Sequence, residues 1–392
     1  MIQKILHTSD WHIGHQLRNH ERYEEFKKFF AWLESLIQSE NIDVILVAGD
    51  IFDNMTPSTK AQNLYYSFLS CIVKLGCKHI VITSGNHDLP TFLEAPKDLL
   101  ELFKIHVVGK ACKNVEDEVL ILDDNLIICA IPYLRERDVR DFESENSLVN
   151  GIKKHYEKVF EHALKLKLNN KNTKIPILAM GHLFVRGGKI SDDYGVRPLY
   201  VGNSVEVGSD IFPEFLTYTA LGHLHSPQKI KRENIRYSGS PLVMDFGEIN
   251  QKKAVNIIEL DGEKLMSIKE VSVPTFQRME RITGTIEEIF YKLSCLQKDC
   301  SIWLEIIYSG NEAIGDLQEK IDEFVKSYPL LEILSIRDES QALKDEKFSY
   351  KNSGKLERFT PVEIFEKCLE FNNISPEQRK IFISMYNEIL PD

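Results

Sequence analysis

Seven side chains in the first 225 residues have the chemistry to hold divalent metal ions: Asp10, His12, Asp50, Asn86, His182, His223 and His225. They fall in five short segments, Asp10-Trp11-His12, Gly49 to Asp53, Gly85-Asn86-His87-Asp88, Gly181-His182 and Gly222 to His225. Seven oxygen and imidazole donors exceed what one ion needs, and they suit Mn²⁺, Fe²⁺ or Zn²⁺ better than a carbonyl-rich calcium site. Two such ions, ~3.5–4 Å apart, polarise a phosphoryl group and acidify water between them. The set predicts a two-metal phosphoesterase with Asp50 as the shared carboxylate. His87 follows Asn86 directly, so its side chain is expected to point towards substrate, with Asp53 hydrogen-bonded to its ring and holding it protonated. An imidazolium so placed assists departure of the leaving oxygen. Asp53 and His87 are therefore the candidate catalytic pair.

Each segment follows a short apolar, β-rich run: Ile2 to Leu6, Asp43 to Ala48, His79 to Thr83, Ile175 to Met180 and Phe215 to Leu221. Loops after sheet strands are where distant side chains converge without disturbing a core. Gly49, Gly85, Gly181 and Gly222 are expected to let the backbone turn and approach closely. Apolar residues at helical spacing, Tyr23, Phe26, Phe30, Leu33 and Ile37, then Leu64, Phe68, Ile72 and Leu75, predict amphipathic helices over a sheet. Strands at Asn125 to Pro132, Asn234 to Ser238, Ala254 to Leu260 and Lys264 to Val273 are expected to build a second sheet. The fold class is thus α/β, a two-sheet β-sandwich flanked by helices, over residues 1–274.

The order and content of these segments resemble the calcineurin-like metallophosphoesterase superfamily, and more closely the SbcD-type nuclease subunit. The closer likeness rests on Ile5 to His12, Gly49 to Asp53, Phe184 to Gly188, Arg197 to Gly202, Tyr218 to Pro227 and Tyr237 to Pro241. The resemblance implies one ion on Asp10, His12, Asp50 and His225, and another on Asp50, Asn86, His182 and His223, with Mn²⁺ as the working metal. It implies a nuclease that cuts DNA at double-strand ends and in single strands or hairpins, acting in repair, recombination and replication with an SbcC-type ATPase. A homodimer of the nuclease within a heterotetramer is part of that expectation. Asp53 stands where archaeal and eukaryotic relatives carry histidine, a feature of the bacterial branch. A phosphatase or cyclic-nucleotide phosphodiesterase on the same site is the alternative, marked by phosphate release from small esters without cleavage of linear duplex.

Composition sets limits. With 392 residues and 43% hydrophobic content the chain can bury a full core in two or three units. It has no apolar run near the roughly 18 residues of a membrane span, and it opens on a strand rather than a leader. Seven cysteines without a C-x-x-C pair read as reduced thiols, which predicts a cytoplasmic protein. A net charge of −11 neither supports nor excludes DNA, because bound divalent ions offset part of the excess and local basic runs remain, as at Lys229 to Arg232.

After Pro274 the metal-ligand segments stop. Residues 275–340 read as strand, helix, strand, helix, strand: Arg278 to Gly284, Ile286 to Cys295, Ser301 to Tyr308, Ile314 to Ser327 and Leu331 to Arg337. This predicts a small α+β module, which the resemblance makes a cap domain. Residues 341–359 are polar and charged and read as a linker. Two capping boxes, Thr360-Pro361-Val362-Glu363 and Ser375-Pro376-Glu377-Gln378, predict a helical hairpin over 360–392. Its stripes, Ile364, Phe365, Cys368 and Leu369, then Ile381, Phe382, Met385 and Tyr386, are too much apolar surface for so short a hairpin to bury alone. By resemblance they dock on the coiled coil of the ATPase. The chain needs such a partner for any ATP dependence, since no G-x-x-x-x-G-K-[ST] occurs in it.

Overall fold

The computed structural model describes residues 2–139, 147–170, 174–188, 205–296, 299–310 and 316–340, together with Arg379 and Phe382. The chain divides into two compact units, Met1–Glu280 with Asp299–Trp303, and Arg281–Lys298 with Leu304–Asp392.

The first unit is built on two six-stranded sheets. One has the order Lys264–Ser272, Ala254–Asp261, Ile2–Thr8, Val44–Ala48, His79–Thr83, Ile105–Val108. Its last four strands are parallel, and the 254–272 hairpin joins antiparallel with Ile5 opposite Ile258. The other runs Gln228–Ile230, Arg232–Tyr237, Tyr218–Gly222, Ile177–His182, Leu126–Ala130, Val119–Leu122, with four parallel central strands and an antiparallel strand at each edge. The expectation that 254–273 belongs to the second sheet is corrected. That hairpin covers the free side of Ile2–Thr8, a buried strand whose ladder would otherwise lie open.

Leu46, Ala48, Val81, Leu178, Met180 and Ala220 fill the layer between the sheets. The outer face of the first sheet packs on the helices Tyr23–Glu40 and Thr59–Lys74 through Phe26, Phe30, Leu33, Phe68 and Ile72. The outer face of the second packs on Ser147–Asn169 through Tyr156, Val159 and Phe160. Helix, sheet, sheet, helix is the resulting layer order, as the apolar periodicities require. Local signals set the ends: Ser58 accepts the Ala61 N–H at the start of the second helix, and Asn41 closes the first in the left-handed region at φ 55°. Among the described residues six cysteines are free, and no helix is long and apolar enough to cross a membrane.

The second unit carries most of a three-stranded sheet with Ile302–Tyr308 between Arg278–Gly284 and Leu331–Asp338. Its helices are Ile286–Cys295, started by a capping box of Thr285 and Glu288, and Leu317–Val325, with Phe290 stacked on Phe324 at 4.4 Å. Strand, helix, strand, helix, strand is the order read from the sequence. The second helix is shorter than expected, and residues 311–315 lie outside the described set. The linker and the hairpin also lie outside it, apart from Arg379 and Phe382, both helical.

Candidate metal centre

Strands of both sheets deliver the candidate ligands at their C-terminal ends. Ile2–Thr8 leads to Asp10 and His12, Val44–Ala48 to Asp50, and His79–Thr83 to Asn86 and His87. From the second sheet, Ile177–His182 ends on His182 itself and Tyr218–Gly222 leads to His223 and His225. The first two loops run side by side through Asp10 N–H to the Gly49 carbonyl and His12 N–H to the Asp50 carbonyl, each 3.0 Å. Between the two ligand positions Trp11 turns into the core, edge-on to Phe30 and Phe68, and donates its indole N–H to Thr8. Asp10, His12, Asp50 and His223 all have positive φ, between 48° and 101°. Four non-glycine residues in that region at one site is local strain held by the surrounding fold. A Cβ at Gly85 would collide with the Asp50 carboxylate, and one at Gly49 with His182, so the close approach expected of these glycines is a steric requirement.

The seven side chains converge. Asp50 Oδ2 lies 3.3 Å from His182 Nε2 and 3.6 Å from His12 Nε2. Asn86 Oδ1 lies 3.0 Å from both His182 Nε2 and His223 Nδ1. His12 Nε2 and His225 Nε2 face each other at 3.2 Å, and Asp10 gathers with His12 and His225 on one side and with Asp50 and His182 on the other. Asp50 also gathers with His12 and His87, so Asp50 and Asp10 both sit between groups of donors.

Contacts behind these residues fix them. His182 Nδ1 donates to the Ala48 carbonyl at 2.9 Å, so Nε2 faces the centre. His225 Nδ1 donates to Glu248 at 2.9 Å, and Glu248 is held by the Lys253 ammonium at 2.6 Å, both buried. Asp10 accepts from Ser9 Oγ and from the His223 main-chain N–H. Asp88 accepts three main-chain N–H groups, of Gly85, Ile51 and Phe52, and so ties the Asn86 loop to the Asp50 loop. Sequence reasoning missed Glu248, Lys253, Ser9 and Asp88. Asp88 alone had a signal, its place in Gly85-Asn86-His87-Asp88.

The expected Asp53–His87 contact takes a different form. His87 Nδ1 donates to the main-chain carbonyl oxygen of Asp53 at 2.8 Å, while the Asp53 carboxylate accepts from His15 Nδ1 at 2.9 Å. His15 is in turn held by the Met244 carbonyl. A carbonyl acceptor fixes the ring of His87 with Nδ1 protonated, without supplying a negative charge.

Charge is finely opposed in the centre. Burial works against ionisation of Asp50, yet the facing His182, its hydrogen bond and His12 hold the carboxyl well below the usual range. Burial also opposes a charged His182, but Asp50 raises it to about 9. Burial and then His182 push His223 down to about 3. Burial raises Asp10, with His182 and His225 offsetting part of the effect. With its Nδ1 committed to Glu248, His225 turns Nε2 to within 3.2 Å of His12 Nε2, so both rings converge on one point of the centre. Buried carboxylates and imidazoles in this arrangement fit divalent metal ions.

A two-sheet α/β sandwich with this polar centre at its strand ends defines a metallophosphoesterase. The family model for calcineurin-like phosphoesterases matches residues 3–227, and that for the type 5 capsule protein repressor C-terminal domain matches residues 275–373. The chain is 30% identical to the SbcD component of the nuclease SbcCD of Escherichia coli (strain K12), over 96% of this chain and 95% of that one. It is 34% identical to the corresponding SbcCD nuclease components of Bacillus subtilis (strain 168), over 65% of this chain and 66% of the relative, and of Rhodobacter capsulatus, over 66% and 67%. The chain belongs to the SbcD nuclease family of the calcineurin-like phosphoesterases, and is a metal-dependent phosphodiester hydrolase.

Proposed function

We propose that the protein hydrolyses the phosphodiester backbone of DNA at this centre, as the nuclease partner of an SbcC-type coiled-coil ATPase. The placing of Asp50 between two sets of donors carries the reading, since one ion would leave half of them without a role. Asp10, His12, Asp50 and His225 would hold one ion and Asp50, Asn86, His182 and His223 the other, Mn²⁺ being favoured for this donor set and family. Bound there, the ions acidify water and neutralise charge on the phosphoryl oxygens.

The chain's own residues do the rest. Glu248 and the Ala48 carbonyl keep His225 and His182 in the tautomers that present Nε2 to the centre. His87, with its Nδ1–H engaged by the Asp53 carbonyl, would enter the step as the doubly protonated imidazolium, give its Nε2 proton to the departing sugar oxygen and be left as the neutral Nδ1–H tautomer. Asp53 accepts from His87 through its main-chain oxygen, while its carboxylate accepts from His15 and faces His12 Nδ1 at 3.7 Å.

In this reading residues 1–274 are the nuclease domain, 275–340 a cap, 341–359 a linker and 360–392 a hairpin for the ATPase, in a heterotetramer with two nuclease chains. The relatives named as components of the nuclease SbcCD support the partner, and free cysteines support a cytoplasmic location. End-labelled and end-blocked duplexes, incubated with Mn²⁺, Mg²⁺ or a chelator and with or without the ATPase, test it. Metal-dependent DNA cleavage, with blocked ends cut only when the ATPase and ATP are present, is expected. Release of phosphate from small esters with intact DNA under every condition would instead make the protein a phosphatase.

A further inference from the structure

Beside the Asn86 loop stands a cation that the chemistry so far leaves unused. After the strand Leu126–Ala130 the chain passes along Gly85 to Asp88, with the Tyr133 N–H donating to the Ser84 carbonyl at 2.9 Å. Arg135 Nη2 donates to the Asp88 carbonyl oxygen at 2.9 Å, and its guanidinium lies over the Tyr133 ring, 5.9 Å from the centroid. The same ring meets His182 edge-on at 6.1 Å and borders, with Glu136, Tyr156 and Phe184, a cavity of about 200 Å³ that reaches His182 and His223, while Arg135 stands outside that lining. Arg135 is thus held in place beside the loop that carries Asn86 and against the ring that touches His182.

What distinguishes it is the lack of a counter-charge among the described residues. Arg22 and Lys253, both buried, each face a glutamate, at 2.7 and 2.6 Å respectively. Among the described residues the guanidinium of Arg135 has no carboxylate within ion-pair distance. Asp138, the nearest acid in sequence bonded to it, accepts from its main-chain N–H and faces Arg137. Of the five N–H donors of a guanidinium, the carbonyl of Asp88 takes one. In a chain of net charge −11 a half-buried, pre-oriented fork with no ion-pair partner among the described residues, beside a phosphodiesterase centre, suits one ligand class above others, a phosphate oxygen pair.

We propose that Arg135 is a substrate-binding residue that grips a DNA backbone phosphate next to the one being cut, with Tyr133 as its positioning residue. The proposal rests on the reading of the centre as a DNA phosphodiesterase. The full chain with Mn²⁺ is assayed on a labelled duplex oligonucleotide and on bis(p-nitrophenyl) phosphate, a diester with no neighbouring phosphate. Arg135→Gln is expected to lower kcat/KM for the oligonucleotide about ten-fold more than for the small diester, chiefly through KM. The slope of log KM against log salt should fall by about one, the signature of a lost phosphate contact. Arg135→Lys should restore the salt slope while leaving KM raised, since a point charge replaces the fork. Equal losses on both substrates, or an unchanged salt slope, overturn the assignment and make Arg135 a prop for the Asp88 loop. Wild-type protein that hydrolyses the small diester and leaves DNA intact brings down the nuclease reading itself, whatever the variants do.

Discussion

At the scale of single residues the centre is a set of side chains whose freedom has been removed one hydrogen bond at a time. Asp50 stands between both donor groups, so Asp50→Asn should weaken both ions, whereas His12→Ala should chiefly release one. Metal analysis that recovers two ions at wild-type affinity from Asp50→Asn would refute the shared role. Glu248 reaches the centre through His225, and Glu248→Ala should cost one ion roughly 10- to 100-fold in affinity. Glu248→Gln, which keeps an acceptor, should recover much of it by calorimetric titration of metal; equal loss in both variants would point to collapse of the Lys253 pocket instead. The carbonyl contact at His87 separates two residues that the sequence coupled. His87→Asn should slow turnover roughly 100-fold with metal content retained, and Asp53→Asn should be much milder, because its main-chain oxygen remains. Single-turnover rates that fall equally in the two variants would show that the Asp53 carboxylate, and not its carbonyl, governs His87.

At the scale of elements the two sheets must stay in register for residues more than a hundred positions apart to meet. His7 helps to lock them: in the first sheet's central strand, it is buried against Tyr218 Oη at 2.9 Å and the Leu221 carbonyl at 3.2 Å in the second. Burial lowers its imidazole to about 3, with the Leu221 carbonyl opposing in part. The folded chain thus keeps His7 neutral where the unfolded chain, with a value near 6.5, takes up a proton. Its contribution is fully present above about pH 6.5 and is lost as pH falls towards 3. The advantage of the wild type over His7→Gln in urea unfolding should therefore shrink by roughly 2 kcal/mol between about pH 7.5 and 5. A gap that stays constant over that range would mean that His7 is already charged in the folded state.

At the scale of the whole molecule, the proposed reading separates nuclease and partner functions along the chain. No candidate ligand lies beyond His225, so removal of residues 357–392 should leave a metal-binding protein active on small diesters. Association with the ATPase, and ATP-stimulated cleavage of blocked duplex ends, should disappear. Phe382→Glu, a charge on an exposed aromatic of the proposed docking stripe, should do much the same. Co-purification of the truncated chain with the ATPase in normal stoichiometry would return the hairpin to the packing of its own chain.

The sequence by itself determined the ligand types, because Asp10, His12, Asp50, Asn86, His182, His223 and His225 each close a strand-like run, and strand periodicity is a local property. It likewise determined the alternation after Pro274, where apolar spacing is a local signal. Tertiary structure decided what local patterns cannot carry. The 254–272 hairpin reads as a strand pair in any sheet, and only the open side of Ile2–Thr8 gives it a place. Glu248, Lys253 and His15 lie outside the five segments and became visible only when folding set them against His225 and Asp53. Whether a side chain or its own carbonyl touches His87 turns on a few ångströms of loop path, which spacing along a chain does not encode.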